Sequence, residues 1–217
     1  MPRAARNKEE IAEVKNKILD HALNIICNEG YDSLTMRKLG GSLGCSAKNI
    51  YYYYSCKEDL YLWILTRGFE TLNAEADKAI DGIFNPLKRL RILCKVYINF
   101  GLKNVHYYNI MFSWDLPKYT SYIGTFFESA AWKEKEVAMH YTVITEAPIS
   151  QVMSKKRKVS KKEIVYHLVR MWSQLHGFVT LHNSSSFREY HSDTLRFRER
   201  LIEELLNGFK EALYEHS

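Results

Sequence analysis

Lys48, Asn49, Tyr52 and Tyr53 put an ammonium, a carboxamide and two phenols into the opening of the stretch KNIYYYYSCKEDL, residues 48–60. These groups bond phosphates and base edges, and phenol rings also pack on sugars and thymine methyls. Tyr51, Tyr52, Tyr53 and Tyr54 are consecutive, so they cannot all face one core. If 47–54 is helical, Ala47, Ile50, Tyr51 and Tyr54 share the inner face, with Tyr51 at its boundary. Lys48, Asn49, Tyr52 and Tyr53 then point outward. Ser55 and Glu58 have the S-x-x-E spacing of a capping box that opens a fresh helix. Lys57 falls in that helix's first turn, where unbonded amides already favour an anion such as phosphate. Between Ser33 and Lys57 the basic residues are Arg37, Lys38, Lys48 and Lys57, with no acidic residue among them. Arg3, Arg6 and Lys8 could add a basic arm ahead of this region. A second basic run, KKRKVSKK at 155–162, reads as a solvated loop leading into a helix.

Other chemistries find little support. The chain has no glycine-rich phosphate loop, no H-E-x-x-H and no G-x-S-x-G. Tyr53 and Lys57 fit a Y-x-x-x-K spacing, but no dinucleotide fingerprint accompanies them. No enzymatic activity and no cofactor is expected. Cys27, Cys45, Cys56 and Cys94 have neither metal-ligand spacing nor the look of a disulfide framework, so no metal is expected and reduced thiols are. No apolar run approaches the ~18 residues of a membrane span, and the first ten residues lack an apolar signal core. A cytoplasmic protein with no membrane partner is the expectation. The 217 residues, 46% apolar, are enough for a sizeable core, and the net charge of +6 suits a polyanion partner.

The elements that must position these groups read as helices throughout. Ile11, Val14, Ile18, Ala22, Ile25 and Ile26 form one stripe, with a stop at Gly30. Thr35 is a good N-cap for a short helix carrying Met36, Leu39 and Leu43, and Ser46 for the next after Gly44. Two short helices around a tight glycine turn form the helix-turn-helix pattern. Gly40 and Gly41 are unfavourable inside the first of them, and Gly40 reads as a close-packing point. A long helix spans 58–81, Pro86 opens another, and one more ends near Pro117. A further helix is expected over 125–147, stopping before Pro148. Ser160 and Glu163 make a second capping box ahead of a striped helix, and a last helix runs from about Leu195. The apolar stripes of these final two helices are broad enough to suggest an intermolecular four-helix bundle. Its residues would be Leu168, Met171, Leu175, Phe178, Leu201, Leu205 and Phe209, unless both stripes pack into their own core.

Gly30-Tyr31 followed by LTMRKLGGSLGCSAKNIYYYYSCKEDL resembles the TetR/AcrR family of bacterial transcriptional repressors over about residues 10–65. The chain departs from that pattern at Gly40 (usually Ala), Tyr54 (more often Phe) and Asn49 (commonly Thr or Ser). Further on, NPLKRLRILCKVYINFGLKNVHYYNIMFS and MWSQLHGFVTL look like a subgroup with a Trp-His-Gly motif. Here that motif reads Leu175-His176-Gly177 with Trp172 one turn earlier, and Val105 replaces a common proline.

The resemblance implies an all-α protein, with a helix-turn-helix DNA-binding domain over 1–57 and an effector-binding and dimerisation domain over 58–217. It implies a homodimer that binds a palindromic double-stranded operator and is released by a small-molecule effector. It implies that the protein sits on the bacterial nucleoid when bound. An activator, or a regulator that needs its ligand to bind DNA, has the same fold, and an all-α enzyme is the remote alternative. Carried over by position, Thr35, Arg37, Ser46, Lys48, Asn49, Tyr51, Tyr52, Tyr53 and Lys57 match residues that touch DNA, Tyr51 as a phosphate-bonding tyrosine. Aromatic content points to a hydrophobic or aromatic effector. The candidate pocket residues are Phe69, Tyr97, Phe100, Tyr108, Phe112, Trp114, Phe127, His140, Trp172 and His176. Aromatics at helical spacing line a core as readily as a pocket.

Overall fold

A computed structural model describes residues 7–113, 115–154, 158–190 and 192–211 of the chain. All regular structure among them is helical. The basic residues Arg3 and Arg6, Trp114, and 155–157 of the second basic run lie outside the described residues. The chain divides into two compact units, one formed within 1–68 and 109–136, the other within 69–108 and 137–217.

In the first unit, α1 (Lys8–Glu29) opens with a capping box: Asn7 accepts from the Glu10 amide at 2.8 Å and Glu10 returns the bond to the Asn7 amide at 2.9 Å. The buried stripe is Ile18, Leu19, Ala22, Leu23, Ile25 and Ile26, and Gly30, at φ 86°, ends the helix where other residues would be strained. A 3-10 turn, Tyr31–Ser33, leads to α2 (Met36–Ser42), which Thr35 caps with its hydroxyl on the Lys38 amide at 3.1 Å. Gly40 allows the next helix to come close, because a Cβ there would lie 2.8 Å from the Cys45 carbonyl oxygen and 3.0 Å from the Ala47 nitrogen.

α3 covers only Ala47–Tyr51, shorter than the helix expected through Tyr54. Ser46 stands at its N-cap position without a side-chain bond to the helix. α4 (Lys57–Ile80) follows. In place of the capping box expected between Ser55 and Glu58, Asp59 accepts from the Ser55 amide at 2.8 Å and from the Ser55 hydroxyl at 3.0 Å. The shorter aspartate reaches from the next position, satisfying the same amide that a capping-box glutamate would.

The first part of α4 is clamped to α1, where Arg67 reaches Asp20 at 2.5 Å and the Asn16 carbonyl at 3.1 Å. Residues 109–136 complete this unit with a π-helical turn, Asn109–Ser113, a 3-10 turn, Tyr119–Tyr122, and the start of α7 (Glu128–Met153). Leu62, Tyr122 and Ala131 form a buried cluster there, and the Tyr61 hydroxyl donates to the Pro117 carbonyl at 3.0 Å. Lys118 donates to the carbonyls of Ile110 and Met111 at 3.4 and 3.1 Å. Glu134 is buried close to it, and burial lifts its carboxyl to about 7, against the opposing pull of Lys118.

In the second unit, α5 (Pro86–Lys103), which meets the short α6 (Val105–Tyr108), packs together with α8 (Lys161–Asn183) and α10 (Thr194–Glu211), and the short α9 (Phe187–Tyr190) lies against α8. Pro86 stands in the first turn of α5 as expected, capped by Asn85 on the Lys88 amide at 3.0 Å. Gly101 lets α8 approach, since a Cβ there would meet Val179 at 2.6 Å and the Tyr108 ring at 2.9 Å. Arg91 pairs with Glu203 and Lys95 with Glu199 at 2.7 Å, a charged edge between α5 and α10.

The stop expected before Pro148 does not occur, because α7 runs through that residue to Met153. A proline inside a helix costs about 3 kcal/mol. Past it, Ile149, Val152 and Met153 are all buried, and each buried side chain of that size returns about 1.5–3 kcal/mol. Ser160 caps α8 on the Glu163 amide at 3.2 Å.

Candidate nucleic-acid interface

Of the outward set expected on and just after the second short helix, all but Tyr53 are exposed. Lys48 and Asn49 lie at the surface, Tyr52 is 81% and Tyr51 55% exposed, while Ile50 and Tyr54 are buried beneath. Tyr51 therefore sides with solvent, away from the inner face. Tyr53 is half-buried, its ring 5.1 Å edge-on from that of Tyr52. Tyr54 anchors the helix from below, its hydroxyl 3.4 Å from the Lys15 carbonyl.

The exposed groups border a groove of about 460 Å³ whose walls include Lys48, Asn49, Tyr52 and Tyr53, and, from α1, Val14, Lys17 and Ile18. Lys17 adds a second ammonium to that edge, and the sequence reading passed over it. The groove offers cations, an amide and phenol hydroxyls over an apolar floor, a set that fits a sugar-phosphate strand and the base edges beside it.

The other candidates on this unit divide by what already engages them. Arg37 is exposed at the start of α2. Thr35 is exposed but its hydroxyl serves the cap, and Ser46 is exposed before α3. Lys57 begins α4 with its ammonium 3.8 Å over the Tyr31 ring and 3.6 Å from Asp32. Neighbouring Lys38 is closed into a hydrogen-bonded pair with Glu29.

Of the candidate effector residues, Tyr97, Tyr108, Trp172 and His176 come together in the second unit. The Trp172 indole donates to the Tyr97 hydroxyl at 2.7 Å, the Tyr97 and Tyr108 hydroxyls are 3.1 Å apart, and Tyr108 lies 2.6 Å from His176 Nδ1. Burial holds His176 below the ordinary imidazole value and pushes Tyr108 up to about 12. A neutral imidazole accepts from Tyr108, so each hydroxyl can donate onward along a single chain from Trp172 to His176. Phe69 and Phe100 are buried in the same unit. His140 is paired with Asp77 at 2.9 Å, while Phe112 and Phe127 belong to the first unit and Trp114 is outside the described residues. Phe127 packs on the Leu62–Tyr122–Ala131 cluster.

The residues named for a dimer bundle point into their own unit. Met171, Leu175, Phe178, Leu205 and Phe209 are buried, and Leu168 and Leu201 are half-buried. The apolar groups that α8 leaves at the surface are Val165, Tyr166, Val169, Trp172 and Leu181.

Residues 18–64 match the family described as bacterial regulatory proteins, tetR family, and residues 90–205 match tetracyclin repressor-like, C-terminal domain. The biofilm operon icaADBC HTH-type negative transcriptional regulator IcaR of Staphylococcus epidermidis is 27% identical over 77 residues. That match spans 33% of this chain and 42% of IcaR, so the chain spans under half the length of this relative. Among solved structures, a transcriptional regulator FadR from Bacillus subtilis in complex with stearoyl-CoA superposes with a TM-score of 0.67 at 13% identity, covering 89% of this chain and 98% of FadR. A TetR-family transcriptional regulator from Bordetella parapertussis gives 0.66 at 13% identity, covering 89% and 94%. At such identities these structures speak for the fold alone.

Proposed function

The chain belongs to the tetR family of bacterial transcriptional regulators, and we propose that it acts as an effector-responsive repressor reading a palindromic operator as a homodimer. The observation that carries this reading is the exposed edge of Lys48, Asn49 and Tyr52 on a helix whose other face is buried. Lys48, Lys17 and Lys57 serve the phosphates, Arg37, Tyr51 and Tyr53 flank them, and Asn49 and Tyr52 reach base edges. Thr35 and Ser46 present backbone and hydroxyl at the helix starts. Two such edges on a twofold dimer lie about 34–36 Å apart, one DNA turn, which makes the operator a palindrome.

The homodimer forms over the surface of α8 that carries Val165, Val169 and Trp172, spaced at i, i+4 and i+7. An exposed apolar stripe of this kind marks an association surface. The effector is apolar or aromatic and acts near the chain of hydroxyls from Tyr97 to His176. FadR in complex with stearoyl-CoA gives a long acyl thioester as one compound to try. The effector shifts DNA binding only by its differential affinity for the two states of the dimer.

Fluorescence anisotropy of the full chain against duplexes from its own upstream region, at about 50 and 200 mM salt, tests the reading. Nanomolar binding that depends on an intact palindrome is expected, with loss on addition of the effector. Micromolar binding equal for every duplex and lost at the higher salt would reduce the edge to a basic surface. Binding that appears only with the ligand present would make the protein a ligand-dependent regulator instead.

A further inference from the structure

We propose that Tyr31 is a positioning residue for the phosphate contact of Lys57, and that Asp32 holds that ammonium in the phosphate's place until DNA arrives. The proposal rests on the DNA-binding reading above. Lysine normally carries its ammonium on a mobile stem, which loses much rotamer freedom on capture. Lys57 is different, because only 22% of its side chain is exposed and its Nζ sits 3.8 Å over the centroid of the Tyr31 ring. An ammonium on a ring face is held by the ring's quadrupole while its outer hydrogens stay available.

The ring is itself braced. Tyr61 meets Tyr31 edge-on at 5.1 Å and 69°, and Tyr61 is fully buried with its hydroxyl on the Pro117 carbonyl at 3.0 Å. The turn that presents Tyr31 follows directly on Gly30, whose φ of 86° favours glycine. The ring is thus braced by Tyr61 and by its own backbone, with the ammonium held over its face.

Asp32 supplies the other half. Its carboxylate is fully exposed, and its Oδ1 lies 3.6 Å from the Lys57 Nζ. That exceeds hydrogen-bond distance, so the attraction is Coulombic, screened and readily exchanged. A phosphate oxygen carries the same charge and accepts the same donor. Lys38, closed onto Glu29, lacks this openness.

The test measures anisotropy of the full chain on a duplex from its own upstream region and on a random duplex of equal length, across about 50–200 mM salt. Lys57→Ala is expected to lower the slope of log K against log[salt] by about 0.9, the loss of one phosphate contact. Tyr31→Leu should reproduce that loss and add nothing in the Lys57→Ala background, whereas Tyr31→Phe, which keeps the ring face, should bind as the parent does. Tyr31 is half-buried and its replacement by leucine could disturb folding, so the exposed Asp32→Asn provides a second reading. It should tighten binding to both duplexes by about two- to five-fold, the size of an exposed ion pair, and only while Lys57 is present. The proposal is overturned if Tyr31→Leu keeps the parental slope in a folded protein, or if Asp32→Asn has no effect or acts equally without Lys57. If the parent protein binds neither duplex, the DNA-binding reading fails and this one with it. Parental binding with an unresponsive Asp32 would fell this proposal alone.

Discussion

Adjacent glycines in α2 should respond to alanine with opposite signs. In an exposed helix, glycine to alanine gains about 0.8–1 kcal/mol from propensity. At Gly41 nothing lies within 4 Å of the added Cβ, so the gain is retained, reduced toward about 0.5 kcal/mol because the helix ends one residue later at Ser42. At Gly40 the same Cβ would stand 2.8 Å from the Cys45 carbonyl oxygen, 3.0 Å from the Ala47 nitrogen and 3.1 Å from the Ser46 carbonyl carbon. All three are backbone atoms, so relief cannot come from a rotamer change. The turn itself must move, although the Cys45 and Leu43 amides both donate to the Gly40 carbonyl, at 2.9 and 3.2 Å. Overpacking of this kind costs about 1–3 kcal/mol, leaving Gly40→Ala net destabilising by about 0–2 kcal/mol. The gap between the two variants should be about 0.5–2.5 kcal/mol, or up to several degrees in melting temperature. Calorimetry on the full chain measures the gap, and anisotropy should show weaker DNA binding for Gly40→Ala alone, since the displaced turn leads straight into α3. Gly40→Ala melting at or above Gly41→Ala would refute the argument from the close approach.

Lys48→Ala should weaken binding to all duplexes and flatten the salt dependence, while Asn49→Ala and Tyr52→Ala relax discrimination at particular base pairs; competition anisotropy with single-base operator variants separates the two behaviours. Glu134, lifted by burial from 4.5 to about 7, contributes stability that is complete below pH 4.5 and lost as pH rises through about 7. Glu134→Gln should therefore melt above the parent at pH 8, by up to about 3 kcal/mol, with the gap shrinking by pH 5; an equal gap at both pH values would refute the assignment. Val169→Glu, on the exposed face of α8, should give folded monomers by sedimentation, whereas Leu175→Ala should cost about 2–5 kcal/mol of stability whatever the oligomeric state. The reverse pattern would return the dimer surface to the residues first read from the sequence.

The helical fold was legible because its punctuation is local. Thr35, Ser160 and Pro86 lie at helix starts and Gly30 at a helix end, and each acts through its own backbone or the amides within one turn. Where a tertiary effect outweighed a local rule, the reading slipped. Pro148 looked like a stop, yet burial of Ile149, Val152 and Met153 carries the helix past it. Ser55 looked paired with Glu58, but its amide and hydroxyl both donate to Asp59. Lys17 could not be tied to Lys48 from the sequence, since only the packing of α1 beside α3 gives them a common groove. The meeting of Tyr97, Tyr108, Trp172 and His176 likewise depends on the close approach of α5 and α8 at Gly101, which no spacing along one helix encodes.

The dimer residues show a limit of periodicity itself. Helix α8 is apolar on two faces: Ile164, Met171, Leu175 and Phe178 turn inward, and Val165, Val169 and Trp172 outward. A stripe read at three- and four-residue spacing is satisfied by either set. Within the protomer that inner set is buried, which is why the proposed dimer surface uses the outer one. Trp172 belongs to both sides, because the residue is 43% exposed while its indole N–H donates inward to Tyr97. A second copy seated on the outer stripe, as proposed above, would cover the Trp172 end of the hydroxyl chain. Removing solvent there strengthens the hydrogen bonds behind it, as a lower local dielectric does for any buried polar chain. Under the proposed dimer, Trp172 would couple the subunit contact to the internal network, and an effector bound near Tyr97 would reach that contact through the same side chain.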